Sequence, residues 1–178
     1  LLVLCIGKYT KKVPDMIKHN KTYRVELTLA ARSTTGDQEG EISTDSHATE
    51  VKLAKVDEAL KGFVGEQMQT PPAYSAIKVN GQRAYDLARA GKEVVIEPRK
   101  VTVYSITDIE YLWPKLSFTT EVSSGTYIRS LATDIGQKLG VGAYMSELRR
   151  ISVDTFQLAD AITVENLTVG SIHEHLQQ

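Results

Sequence analysis

Arg129 is the residue of this sequence whose type and position most need a chemical reason. It stands in the run Val-Ser-Ser-Gly-Thr-Tyr-Ile-Arg-Ser-Leu at residues 122–131. Ile128, Leu131, Ala132, Ile135 and Leu139 follow at helical spacing, and Gly140 stands where a helix would stop. Arg129 therefore falls in a first helical turn, where the helix dipole disfavours a cation by about 0.3–1 kcal/mol. Three and four residues on are Ala132 and Thr133, so no local carboxylate offsets that cost. The guanidinium is either solvated or paired with an acid from elsewhere in the fold. Tyr127 beside it, an apolar ring with a polar tip, favours a site. Nucleophilic and metal chemistry are poorly provided for. Cys5, the single cysteine, sits between Leu4 and Ile6 and reads as an inert core residue. His19 and His47 are isolated, and His173 and His175 lie in a polar tail, so none has a partner at metal-ligand spacing. There is no phosphate-binding glycine loop and no dinucleotide fingerprint. Cofactor-free chemistry, or simple binding, remains.

The elements that must position these residues are visible in the hydrophobic pattern. Leu116, Phe118, Thr120 and Val122 alternate with polar residues as a half-buried strand; Ser123, Ser124 and Gly125 turn it, and Thr126 is a candidate N-cap of the helix. Tyr23, Val25, Leu27 and Leu29 alternate with Arg24, Glu26 and Thr28, which predicts a strand over residues 22–30. Residues 33–40 are a loop by composition, leading to a short extended piece at 41–44. A helix is expected over 51–63, another over 84–90 closed by Gly91, and a short one over 9–19 broken near Pro14. The prolines at 71 and 72 keep 69–73 out of a helix. A strand is expected over 74–79, with Asn80-Gly81 as a hairpin turn, and a long one over 101–112. Residues 143–149 read as a helical turn, 150–156 as a strand, and Thr163 as the cap of a last short helix. Strands with hairpins and a few helices imply an α+β fold around an antiparallel or mixed sheet.

Size and composition fit one domain. The chain has 178 residues, 42% hydrophobic and 24% charged, with a net charge of −1. That charge gives no bulk signal for nucleic acid, but it is unevenly placed. The bases at 8, 11, 12, 18, 21, 24 and 32 face acids only at Asp15 and Glu26, and the balance reverses over 33–58. Such segregation permits a local phosphate-binding face. One cysteine excludes an internal disulfide and fits a reducing, cytoplasmic setting. Residues 1–6 are too short to span a bilayer and lack a preceding basic region, so no membrane partner is expected. The sequence begins inside an apolar run with no initiator Met, which reads as a fragment.

Five motifs occur in order: Lys21-Thr22-Tyr23-Arg24-Val25; Thr35-Gly36-Asp37-Gln38-Glu39-Gly40; Pro71-Pro72-Ala73-Tyr74-Ser75-Ala76-Ile77-Lys78; Gly125-Thr126-Tyr127-Ile128-Arg129-Ser130-Leu131; and Leu148-Arg149-Arg150. Together they resemble the TruB family of tRNA pseudouridine synthases, over nearly the whole chain. The resemblance implies an α+β fold around a mixed, largely antiparallel sheet. It also implies isomerisation of a uridine of the tRNA T-loop to pseudouridine, without cofactor or metal, on a base flipped out of the loop. An aspartate starts the reaction in that family, the glycosidic bond breaks, and the uracil turns and rejoins through carbon. By resemblance Arg129 pairs with that aspartate, Tyr23 stacks on the uracil and handles its proton, and Tyr127 and Leu148 line the pocket. Without the resemblance Tyr23 reads as a half-buried strand tyrosine and Leu148 as core. Lys21, Arg24, Arg149 and Arg150 are the candidates for phosphate contact with a T-arm, by a monomer.

The sequence also departs from the family. The aspartate belongs to a Gly-Thr-Leu-Asp-Pro-like motif upstream of Leu1 and is not in this chain. Ser33-Thr34-Thr35 stands where the family usually has Thr-Asp-Thr, removing an acidic contact, and Arg129 is left without its expected partner. Residues 1–178 thus read as a single, incomplete catalytic domain without the C-terminal RNA-binding module of many members. A non-catalytic RNA-binding protein that kept the cleft is the rival reading.

Overall fold

In the computed structural model, which describes residues 1–79, 81–92, 94–168 and 170, ten strands and four α-helices follow one another. A 3₁₀ turn, Gly7–Lys12, leads into α1 (Val13–Met16), so Pro14 lies in the first turn of a helix rather than breaking one. The order continues with β1 (Lys21–Leu29), β2 (Ala31–Ser33), β3 (Ile42–Thr44), α2 (Leu53–Lys61), β4 (Gly65–Gln69), β5 (Lys78–Val79), β6 (Gln82–Arg83) and α3 (Ala84–Arg89). It ends with β7 (Arg99–Leu112), β8 (Lys115–Val122), α4 (Ile128–Leu139), β9 (Ala143–Val153), β10 (Phe156–Gln157) and 3₁₀ turns at Leu158–Asp160 and Val164–Asn166.

Six strands form the main sheet in the order β10-β9-β1-β8-β7-β4, every neighbouring pair antiparallel. The fold is α+β, as the pattern and the resemblance imply. Period-two alternation in β1 and β8 decides which face is covered. Val25, Leu27 and Leu29 of β1 and Leu116, Phe118 and Val122 of β8 are buried beneath α4 and α2. Arg24 and Glu26 point to the other face. From the helical side come Ile128, Leu131, Ala132 and Ile135, with Val56 and Leu60 of α2. Gly136 lets α4 lie directly on the backbone at the start of β9, since a Cβ there would stand 2.2 Å from the Ala143 nitrogen. Gly140 ends α4 in the left-handed conformation, φ 81°.

Several expectations are corrected. Residues 143–149 are not a helical turn but the first part of β9, paired with β1 along its length. Ala143, Met145 and Leu148 keep neither a helical spacing nor a strict alternation; β1's otherwise open backbone decides the outcome. Residues 65–69 form an edge strand. The strand expected over 74–79 shrinks to β5, because the carbonyls of Ser75 and Ile77 accept from Tyr85 and Ala84 at the start of α3, and that of Tyr74 from Arg129. Gly81 of the expected hairpin has φ 84° and β5 pairs with β6; Asn80 lies outside the described residues, as do His173 and His175. Cys5 is half-buried, its thiol 3.4 Å from the Met16 sulfur.

Candidate active site

Tyr23 and Leu148 stand on neighbouring strands of the main sheet, and Tyr127 and Arg129 at the start of α4, which covers one face of that sheet. Tyr23 sits on β1 opposite Thr120 of β8 and Arg150 of β9, packed against the core. Leu148 lies opposite Val25 and is 43% exposed, so it is not core. A register shift in β9 between Thr22 and Tyr23 brings Arg150 to Tyr23's position.

Arg129 is paired rather than solvated. Its Nη1 donates to Asp37 Oδ2 at 2.9 Å and to the Thr35 carbonyl at 3.3 Å; its Nη2 donates to the Tyr74 carbonyl at 2.7 Å. The two charged side chains are 22% and 17% exposed. Asp37 thus supplies, from within this chain, the acid that a helix-start arginine needs. The expectation that Arg129 faces the cleft without a partner is corrected. The acid comes from Asp37, two residues beyond Thr35, and not from the Ser33-Thr34-Thr35 position itself.

The loop at 33–40 is built to hold that carboxylate. Asp37 Oδ1 accepts from the Thr35 hydroxyl and from the Glu39 N–H at 3.1 Å, an Asx-type turn. Gly36, at φ 79°, passes so close to α4 that a Cβ on it would stand 3.3 Å from that of Arg129. The Met145 N–H donates to the Gly36 carbonyl at 3.0 Å, and the Gln38 amide donates to the Ser146 carbonyl. The loop therefore lines the free edge of β9 just before Leu148, through a short parallel bridge between Asp37 and Met145.

Tyr127 is the N-cap residue of α4, with extended φ and ψ and no side-chain cap. Thr126, the expected cap, instead donates to the Ser123 carbonyl at 2.9 Å and closes the preceding turn. The backbone of Tyr127 meets the side chain of Gln69: Tyr127 N–H donates to Oε1 at 2.8 Å, and Nε2 donates to Tyr127 O at 3.1 Å. Arg99 lays its guanidinium 4.9 Å from the Tyr127 ring centroid and donates to the Gly125 carbonyl. Ser130 Oγ donates to the Thr70 carbonyl at 2.8 Å.

The basic candidates divide. Arg24 donates to the Asp108 carbonyl and to Ser117 Oγ and pairs with Glu110 at 2.8 Å, all on the face away from Tyr23. Arg149, its register partner on β9, is exposed. Lys21 donates from Nζ to the carbonyls of Ile17 and His19 at 2.7 and 2.6 Å; burial, and secondarily Arg150, hold its pKa below the usual lysine value. Arg150 donates to the Leu1 carbonyl through Nε and Nη2. A concave surface of about 500 Å³ lies apart from these residues, between β5–β6 and α3, lined by Lys78, Arg83, Asp86, Leu87 and Lys92 among others. No helix among the described residues is long and apolar enough to cross a membrane.

Asp37, Gln69 and Arg99 are the residues at the site that sequence reasoning did not single out. Their contacts with residues 125–129 span dozens of residues and leave no local periodicity.

Comparison with known proteins bears on this arrangement. Residues 1–128 match the model of the TruB family pseudouridylate synthase N-terminal domain, and 129–177 that of the tRNA pseudouridylate synthase B C-terminal domain. The tRNA pseudouridine synthase B of Cupriavidus taiwanensis is 46% identical over 170 residues, covering 94% of this chain and 54% of the relative. That of Aquifex aeolicus is 42% identical over 168 residues, covering 93% and 58%. The chain thus spans little more than half the length of these curated relatives. Among solved structures, one described as a Cbf5-Nop10-Gar1 complex matches with TM-score 0.67 and 30% identity, covering 91% of this chain and 39% of that one. A second, an H/ACA RNP bound to a substrate RNA containing 2'-deoxyuridine, matches with TM-score 0.63 and 27% identity, covering 91% and 37%. With a six-stranded sheet of the same fold and a family model matching well over half of its residues, this chain belongs to the TruB family of pseudouridylate synthases.

Proposed function

We propose that this chain is the greater part of a tRNA pseudouridine synthase catalytic domain, acting as a cytoplasmic monomer on the T-arm. It isomerises a T-loop uridine to pseudouridine once an upstream segment supplies the initiating aspartate. The observation that carries the reading is the half-buried Arg129–Asp37 pair, at 2.9 Å, in a family whose chemistry needs a held carboxylate. A guanidinium has five N–H donors. Thr35, Asp37 and Tyr74 occupy three of them, which leaves Nε–H and one Nη2–H to orient a second carboxylate. Residues preceding Leu1 would enter beside Arg150, whose register partner is Tyr23.

In this reading the flipped uridine stacks on the Tyr23 ring, between Tyr127 and Leu148. The aspartate attacks the nucleotide and the glycosidic bond breaks; the uracil turns and rejoins through carbon, which releases the aspartate. Tyr23, whose hydroxyl has no hydrogen-bond partner among the described residues, takes part in moving the proton lost from that carbon. Lys21, Arg24, Arg149 and Arg150 remain the proposed phosphate contacts; Arg149, exposed, needs the least rearrangement to meet one. The two matched segments share one sheet through β1 and β9, which supports treating 1–178 as one incomplete domain.

The test is tritium release from uracil-labelled T-arm RNA. Residues 1–178 alone show no turnover, because intact binding groups do not replace a missing covalent catalyst. A longer protein carrying the upstream segment is active. Turnover by the short chain, in a preparation free of host enzyme, defeats the aspartate argument. An inactive longer protein that still binds the T-arm favours the RNA-binding reading.

A further inference from the structure

The start of α4 has no side-chain cap, and a pair of residues from the far edge of the sheet holds its N-cap residue, Tyr127. Gln69 ends β4 and lies directly opposite Arg99, which begins β7. Gln69 is 1% exposed, and its amide meets both the N–H and the carbonyl of Tyr127. A planar side-chain amide offers a donor and an acceptor side by side, the pattern that a paired strand residue would present. Arg99 covers one face of the Tyr127 ring and anchors the turn before it through the Gly125 carbonyl. One register pair thus grips the same residue twice, Gln69 by the backbone and Arg99 by the ring.

Two further observations argue that this is more than packing. The Arg99 Nε–H is buried without a partner, a cost that an aliphatic side chain of the same length would not carry. The chain after Gln69 also continues along α4, the Thr70 carbonyl accepting from Ser130 and the Tyr74 carbonyl from Arg129. A shift at the Gln69 end is therefore transmitted to the guanidinium. With one face of the Tyr127 ring under Arg99, only the other face and the edge are left for a base.

The geometry points to Gln69 and Arg99 as positioning residues, which fix Tyr127 as a rigid wall and through it set the direction of Arg129. This rests on the reading of Tyr127 and Arg129 as parts of a uridine site. Misplacing a positioned group by about 1 Å costs up to roughly 100-fold in rate, and a cation–π contact with one carbonyl hydrogen bond is worth about 10-fold.

The experiment uses the longer protein with its upstream segment, under single-turnover conditions with labelled T-arm RNA. Arg99→Met keeps the length of the stem and removes the charge. It lowers the maximal rate about 10-fold while half-saturation stays within about 3-fold. In a Tyr127→Ala background the same change has a clearly smaller effect, because the ring contact is gone and only the bond to the Gly125 carbonyl remains to be lost. Equal loss in both backgrounds, or none in the native background, overturns the proposal. Amide hydrogen exchange gives a readout independent of activity. Arg99→Met and Gln69→Leu each speed exchange over residues 127–131 by about 10-fold, without a matching rise in the β1–β8 core. Unchanged exchange in Arg99→Met overturns the clamp even if Gln69→Leu fails to fold. An inactive parent refutes the uridine-site reading instead, and exchange still decides the clamp.

Discussion

Replacing Arg129 by alanine should separate stability from chemistry. The guanidinium makes one charge-assisted bond to Asp37, at 2.9 Å, and two bonds to carbonyls. A hydrogen bond to a charged partner contributes about 1.5–3 kcal/mol when buried. The side chains are 22% and 17% exposed, so solvent removes part of that. Asp37 keeps its bonds from Thr35 and Glu39 and is not stranded. Removing a cation from a helix N-terminus returns about 0.3–1 kcal/mol. The net loss is therefore about 1–2 kcal/mol, or a fall of roughly 2–8 °C in melting temperature for a chain of this size. Activity of the longer protein should fall by about 10²–10³-fold, as for other preorganised donors aimed at a reacting group. Arg129→Lys should recover little, since a point charge does not reproduce the fork that reaches three acceptors. Calorimetry and tritium release on the same preparations check both figures. Turnover within 10-fold of the parent refutes the site assignment, and a collapse of the fold refutes the division of labour.

Further outcomes are expected. Tyr23→Phe should bind T-arm RNA as the parent does, since stacking needs only the ring, yet stall after the base detaches; equal loss of binding and turnover would mean that the hydroxyl serves recognition. T-arm affinity should fall with salt by roughly one unit of log–log slope per phosphate contacted, measured by filter binding, and a flat response would remove the proposed basic contacts. Gly136→Ala should destabilise the fold by about 2 kcal/mol or more, because the new Cβ would meet the β9 backbone at 2.2 Å. Glu26 has its pKa lowered from 4.5, first by the hydrogen bond from Lys115. A depressed carboxylate pKa stabilises the fold above the ordinary value and stops doing so as the pH falls through the lowered one. Glu26→Gln should therefore melt lower at pH 7, with the gap closing below pH 4.5, and a pH-independent gap would exclude the ion pair as its cause.

What the sequence showed of this molecule depended on the range of the interactions. β1, β8 and α4 were legible because each buries one face, and a buried face prints its period on the chain. The helix-start position of Arg129 was legible for the same reason, and with it the choice between solvation and an acid from elsewhere in the fold. Which acid was not, because Asp37 lies 92 residues away and is brought near by a loop without periodicity. β9 was misread because its apolar residues, Ala143, Met145 and Leu148, break the two-residue alternation, where its register against β1 shifts. β4, Gly-Glu-Gln-Met-Gln, lacks strand formers and is held by its pairing to β7 and by the Gln69 bonds to Tyr127, neither of which is local in sequence. Family resemblance placed Tyr23, Tyr127 and Leu148 together; spacing alone could not.

The pairing of β1 with β9 also has a consequence for synthesis. Leu29 meets Ala143 and Lys21 meets Val153, separations of 143 − 29 = 114 and 153 − 21 = 132 residues. At about 5–20 residues per second, β1 leaves the ribosome roughly 6–26 s before its partner exists. β8 arrives earlier and covers one edge of β1, but the other edge stays open for the rest of that interval. Arg24, Glu26 and Lys21, the charges placed along this strand, then act as gatekeepers against pairing with other nascent chains.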